Sequence, residues 1–106
     1  MDTEVFSFAS LKLAYEQTKE PFEREHVTPF LWQHPKRFAL SNVEHDIDIS
    51  HYRWTVDTPE DLDLVERMLG ACYPSNPEFD LQDCIDAIHQ NPEWENINRH
   101  IEQKKL

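Results

Sequence analysis

Asp57 stands at a joint in the chain. The stretch "RWTVDTPEDLDLVERML", Arg53 to Leu69, reads as a short strand, a sharp turn and a helix. Thr58 is placed to cap that helix, Pro59 presets its first turn, and Glu60 and Asp61 favour the positive end of its dipole. Asp57 is then spare. A carboxylate at the C-terminal end of a strand, just ahead of a helix, sits where α/β sheets usually bind ligands. Hard cations such as magnesium favour carboxylate oxygens in such places. The plainer account is an aspartate that only forms the turn.

A second polar cluster is "REHVTP", Arg24 to Pro29. Arg24, Glu25, His26 and Thr28 suit a polyhydroxylated ligand or its carboxylate, with Arg24 as the anion fork. The competing account is a solvated helix entry with Arg24 and Glu25 as surface charges. His45 and His51 bracket "DIDIS", where Asp46 or Asp48 could join them in a loose metal site. His34, His89 and His100 fall on helix surfaces or ends. No Ser-His-Asp or Cys-His arrangement stands out. Cys72 and Cys84 belong to no CxxC or zinc pattern and lie on apolar helix faces, so they read as reduced core thiols.

The elements that must position these groups can be read from periodicity. Glu4–Phe6 is a candidate short strand. Ser7 then caps a helix carrying Phe8, Leu11 and Tyr15 at helical spacing, and Pro21 ends it. In "TPFLWQHP", Thr28 is a candidate cap, Pro29 the first helical residue and Pro35 the stop. Arg37–His45 partly alternates and predicts a strand, as does Tyr52–Val56. From Thr58 the period turns helical, with Leu62, Val65, Leu69 and Cys72 on one stripe. Asp80 caps a helix that buries Leu81, Cys84, Ile85 and Ile88. Asn91 and Pro92 open a last helix with Trp94, Ile97 and Ile101 on one side, and Lys104 and Lys105 suit the negative end of its dipole. About five helices and two or three strands result. So few strands make either a small α+β domain or part of something larger.

The totals narrow the function. The 106 residues suffice for one small domain, residues 1–106, with a modest core. The net charge of −11 argues against nucleic acid or an anionic membrane as partner, since both need clustered Lys and Arg. Gly70 is the sole glycine, which excludes a Walker loop and a dinucleotide fingerprint. No signal peptide and no membrane-length apolar run is evident, so the cytoplasm is expected.

Four stretches, "EVFSFASL", "EREHVTPFLWQHP", "NVEHDIDISHYRWTVDTPEDLDLV" and "NPEWENIN", together resemble bacterial spore-coat polysaccharide cytidylyltransferase-like proteins. These are relatives of the acylneuraminate and ketodeoxyoctonate cytidylyltransferases. The resemblance covers nearly the whole chain. It implies an α/β fold of the nucleotide-diphospho-sugar transferase, glycosyltransferase-A-like type, of which this chain would be the C-terminal portion. It implies a reaction of CTP with an acidic sugar, giving a CMP-sugar and pyrophosphate with Mg2+, for surface polysaccharide synthesis. It makes Asp57 a metal ligand and sets Arg24, Glu25 and His26 at or beside the sugar site. Members of that family are more than twice as long, and their amino-terminal half carries the CTP loop and a further acidic metal ligand. The chain alone is therefore expected to be an incomplete enzyme. Its alternatives are an acidic, non-catalytic interaction module and one chain of a split enzyme. A strand at Tyr52–Val56 stripped of its neighbours would also expose an edge for self-association.

Overall fold

A computed structural model describes residues 3–104. In chain order it contains α1 (Phe8–Gln17), α2 (Pro21–His26), α3 (Pro29–Trp32), α4 (Pro59–Cys72), α5 (Leu81–Gln90) and a 3-10 turn over Pro92–Asn96. The chain divides into two compact units, one up to residue 46 and one from residue 47 onward.

The first unit is built on α1, α2 and α3. Ser7 caps α1, its hydroxyl oxygen accepting from the Ser10 backbone N–H at 3.1 Å. The face that α1 buries is not the expected one. Phe8 and Tyr15 are exposed, and Ala14 packs with Phe30 and Leu31. Pro21 does not end α1, which stops at Gln17 with Thr18 as its C-cap; it opens α2 as that helix's first residue. Thr28 precedes α3 but makes no side-chain cap hydrogen bond.

The second unit rests on α4 and α5. Thr58 caps α4 in a reciprocal capping box with Asp61, and Asp80 does the same for α5 with Asp83. Leu64, Met68, Cys84 and Ile88 form the core, with Tyr52, Trp54, Phe79, Trp94 and Ile97 packed against it. The stripe that α4 buries is Asp61, Leu64, Met68 and Cys72. Leu62 and Leu69 are both more than two-fifths exposed. The helix is thus rotated from the expected stripe, because a buried carboxylate rather than Leu62 anchors its first turn. The last helix is shorter than its periodicity suggests, a single 3-10 stretch. Lys105 lies outside the described residues.

The α/β expectation is overturned. Among the described residues there is no strand, and the regular structure is helical. The glycosyltransferase-A-like sheet and its two or three strands are therefore not the architecture of this chain. The physical reason is visible at Tyr52–Val56. Alternation aligns Tyr52 and Trp54 on one side, as in a strand, and their rings stack at 5.0 Å. What they cover is the core of α4 and α5, and no neighbouring chain supplies a hydrogen-bonded ladder. The segments Glu4–Phe6 and Arg37–His45 likewise lack a ladder, and Val5 and Val43 are almost fully exposed. Period-two patterning marks a half-covered extended segment, and a helical surface can do the covering. The strand edge anticipated for self-association does not form.

Candidate functional site

The polar centre of the second unit is the corner at which the segment Tyr52–Val56 turns into α4. Asp61 is its hub and is fully buried. Its carboxylate accepts from Arg53 Nε at 2.9 Å and Arg53 Nη2 at 2.8 Å, a two-pronged ion pair. It also accepts from the backbone N–H groups of Asp57 and Thr58, each at 3.1 Å, and from Asn98 Nδ2 at 2.8 Å. Asn98 is buried too, and its Nδ2 also donates to the Arg53 carbonyl at 2.8 Å. The Arg53 guanidinium beside Asp61 holds that carboxyl well below the usual carboxylate range. Burial opposes this shift, and the hydrogen bonds from Asn98, Asp57 and Thr58 reinforce it.

Asp57 sits at the rim of this arrangement. Its side chain is 61% exposed, and Oδ2 accepts from Arg53 Nη2 at 3.2 Å. Arg53 completes its set with a hydrogen bond from Nη1 to Gln103 Oε1 at 2.6 Å. The backbone of Asp57 is held by Asp61 while its carboxylate faces solvent. The side chain is not needed for the cap.

Magnesium demands a near-octahedral shell of oxygen ligands. Asp57 offers one carboxylate, already in contact with a guanidinium. No group of three or more His, Cys, Asp or Glu suited to a metal occurs among the described residues. The residues of this corner do not by themselves make a magnesium site. The "DIDIS" loop is organised by Asp48, which accepts from the Ser50 backbone N–H at 2.9 Å and the Ser50 hydroxyl at 2.6 Å. Those bonds lower its pKa, the side-chain bond most.

Beside the corner lies a cavity of about 140 Å3, lined by Arg53, Trp54, Glu95, Asn98 and Arg99 among others. Tyr52 borders it. Burial raises the Tyr52 pKa, and the charge and hydrogen bonding of Glu95 add to the effect.

Arg24, Glu25 and His26 belong to the first unit, on α2. Arg24 lies 4.6 Å over the Tyr15 ring, and its Nη2 donates to the Thr18 carbonyl at 3.4 Å. Glu25 is exposed. His26 packs against Phe22, with ring centroids 4.8 Å apart. The next residue is strained. Val27 has φ 67° and ψ −54°, and around it the Thr28 N–H donates to the His26 carbonyl at 2.8 Å. That is the uncommon, strained form of the γ-turn, held here by a β-branched residue. The same unit has a larger cleft, about 550 Å3, whose walls include Ser7, Ser10, Thr28, Trp32, Phe38 and Asn42.

Sequence reasoning singled out Asp57 and missed its supports. Asp61 carried a signal, since Thr58-x-x-Asp61 has capping-box spacing. Arg53 and Asn98 carried none, because their roles depend on contacts with distant parts of the chain.

The second unit is thus a small helical body with a clamped, acid-bearing corner. No protein-family model matches the chain. Across 98% of its length it is 32% identical to the uncharacterized protein MJ1063 of Methanocaldococcus jannaschii. The chain spans 43% of the length of that relative. No solved structure matches.

Proposed function

We propose that this chain is the carboxy-terminal part of a nucleotidyltransferase-like protein that joins CTP to an acidic sugar, releasing pyrophosphate and a CMP-sugar for surface polysaccharide synthesis in the cytoplasm. The observation that carries the reading is Asp57, an exposed carboxylate in the "VDTPED" motif whose backbone is pinned from below by Asp61. Apart from its exposed contact with Arg53, that carboxylate is free to meet a ligand. Arg24, Glu25 and His26 are the sugar-side residues in this reading. The archaeal relative, of which the chain spans 43%, is long enough to hold a separate nucleotide-binding portion, as this reading requires. Mg2+ would be shared with carboxylates outside this chain, since Asp57 alone does not suffice.

In this scheme Asp61 and Arg53 keep the corner rigid, and Asp57 presents negative charge at a constant position. Preorganised charge of this kind needs no rearrangement when a ligand arrives.

The test is pyrophosphate release from CTP in the presence of acylneuraminate or ketodeoxyoctonate. The full-length archaeal relative should turn over, and the chain alone should not. Turnover by neither would sink the transferase reading. A second reading then takes its place, an acidic interaction module. It is favoured by the helical architecture and by Val5, Phe8 and Val43, large apolar side chains left exposed.

A further inference from the structure

Cys72 closes α4 and Cys84 lies in the first turn of α5. Both are buried, and both thiols are free. The two helices pack together, and Cys72 Sγ approaches the carbonyl of Asp83, the residue before Cys84, at 3.7 Å. That contact sets Cys72 one residue from Cys84 across the helix pair. The intervening "YPSNPEFD" loop carries two prolines, so the chain is stiff where it must reverse.

We propose that Cys72 and Cys84 are a latent disulfide pair that staples the end of α4 to the start of α5, formed by exchange with a small-molecule disulfide such as glutathione disulfide. The Cys72 thiolate attacks one sulfur of glutathione disulfide. A mixed disulfide forms and one glutathione thiolate leaves. Cys84, once deprotonated, attacks the Cys72 sulfur and expels the second glutathione. The protein loses two thiol protons and two electrons, and glutathione disulfide is reduced to two glutathione thiols.

Burial pushes the Cys84 thiol up to about 11, and the proximity of Cys72 adds to this. Cys72, which attacks first, is itself buried, so in the closed fold the exchange is slow. Reaction requires the end of α4 to open, and the sequence provides for that. Gly70 sits two residues before Cys72 in the last turn, exposed, with nothing within 4 Å of where a Cβ would lie. No packing requires glycine there, and glycine weakens a helix turn. Tyr73 and residues 74–78 beyond it are also exposed, so fraying uncovers Cys72 without opening the core.

The experiment incubates the chain with glutathione disulfide and follows the intact mass and the thermal midpoint. The expected product is two hydrogens lighter, holds a Cys72–Cys84 linked peptide after digestion, and melts higher. Gly70→Ala should reach the same product roughly fourfold more slowly, since it stabilises the turn that must open. Cys72→Ala should form no internal disulfide. A product that stops at stable glutathione adducts, or that links two copies, would overturn the proposal. So would a linked product that melts lower than the reduced chain. An unchanged rate in Gly70→Ala would overturn the route through the end of α4.

Discussion

Asn98 donates its side-chain amide to Asp61 at 2.8 Å across 37 residues of sequence, and both side chains are buried. This bond ties the segment after the 3-10 turn to the first turn of α4. With the Asn98 bond to the Arg53 carbonyl, it closes a ring through three separate stretches of chain. The corner bearing Asp57 is rigid because its parts come from distant positions.

Asp61→Asn should therefore be severely destabilising, while Asp57→Asn should not. The first leaves the Arg53 guanidinium without its buried counter-charge and replaces one accepting oxygen by an NH2 donor, facing either Arg53 Nε and Asn98 Nδ2 or the two backbone N–H groups. A loss on the order of 3 kcal/mol is expected in denaturant melts. The second removes a mostly exposed partner of Arg53, and its effect should stay within about 0.5 kcal/mol. Equal losses in the two variants would show that Asp57 is a structural turn former.

Acid sensitivity follows from the same pair. The folded-state pKa of Asp61 is depressed below its unfolded value. Its contribution is then fully present above the unfolded pKa, about 4, and is lost as pH falls from there toward the folded pKa. Denaturation midpoints measured from pH 7 down to pH 2 should fall steeply on the acid side. The Asp61→Asn variant, already weakened, should show a flatter acid limb.

Thr58→Ala removes the acceptor for the Asp61 backbone N–H, now at 3.2 Å, and half of the capping box. A loss of about 1 kcal/mol is expected. Asp80→Ala should cost a similar amount at α5, where two backbone N–H groups lose their acceptor. A pair of unchanged melting curves would remove capping as the cause of these helix starts.

Val27→Gly should stabilise the first unit. Glycine adopts φ 67° without a Cβ penalty, and relief of strain outweighs the added freedom of the unfolded chain by on the order of 1 kcal/mol. A destabilised variant would mean that the Val27 side chain contributes packing larger than its strain.

The starts of α1, α4 and α5 were legible in the sequence, because Ser7, Thr58 and Asp80 cap the chain that directly follows them. Caps depend on a few neighbouring residues, so local spacing suffices to place them. The separateness of Asp57 from the cap was legible for the same reason. Three features were decided only in the folded chain. Period-two alternation at Tyr52–Val56 could not say whether a strand or a helix pair would cover it, and the helix pair α4 and α5 does. Helical spacing pointed to Leu62 as the inward residue of the first turn, but Asp61 is the one buried. Asp61 wins because Arg53 and Asn98 meet it there. The approach of Cys72 to the start of α5 depends on how α4 packs against α5, which spacing along either helix does not contain. Local chemistry follows the chain, whereas the pairing of buried charges and thiols depends on which distant residues the tertiary fold brings to them.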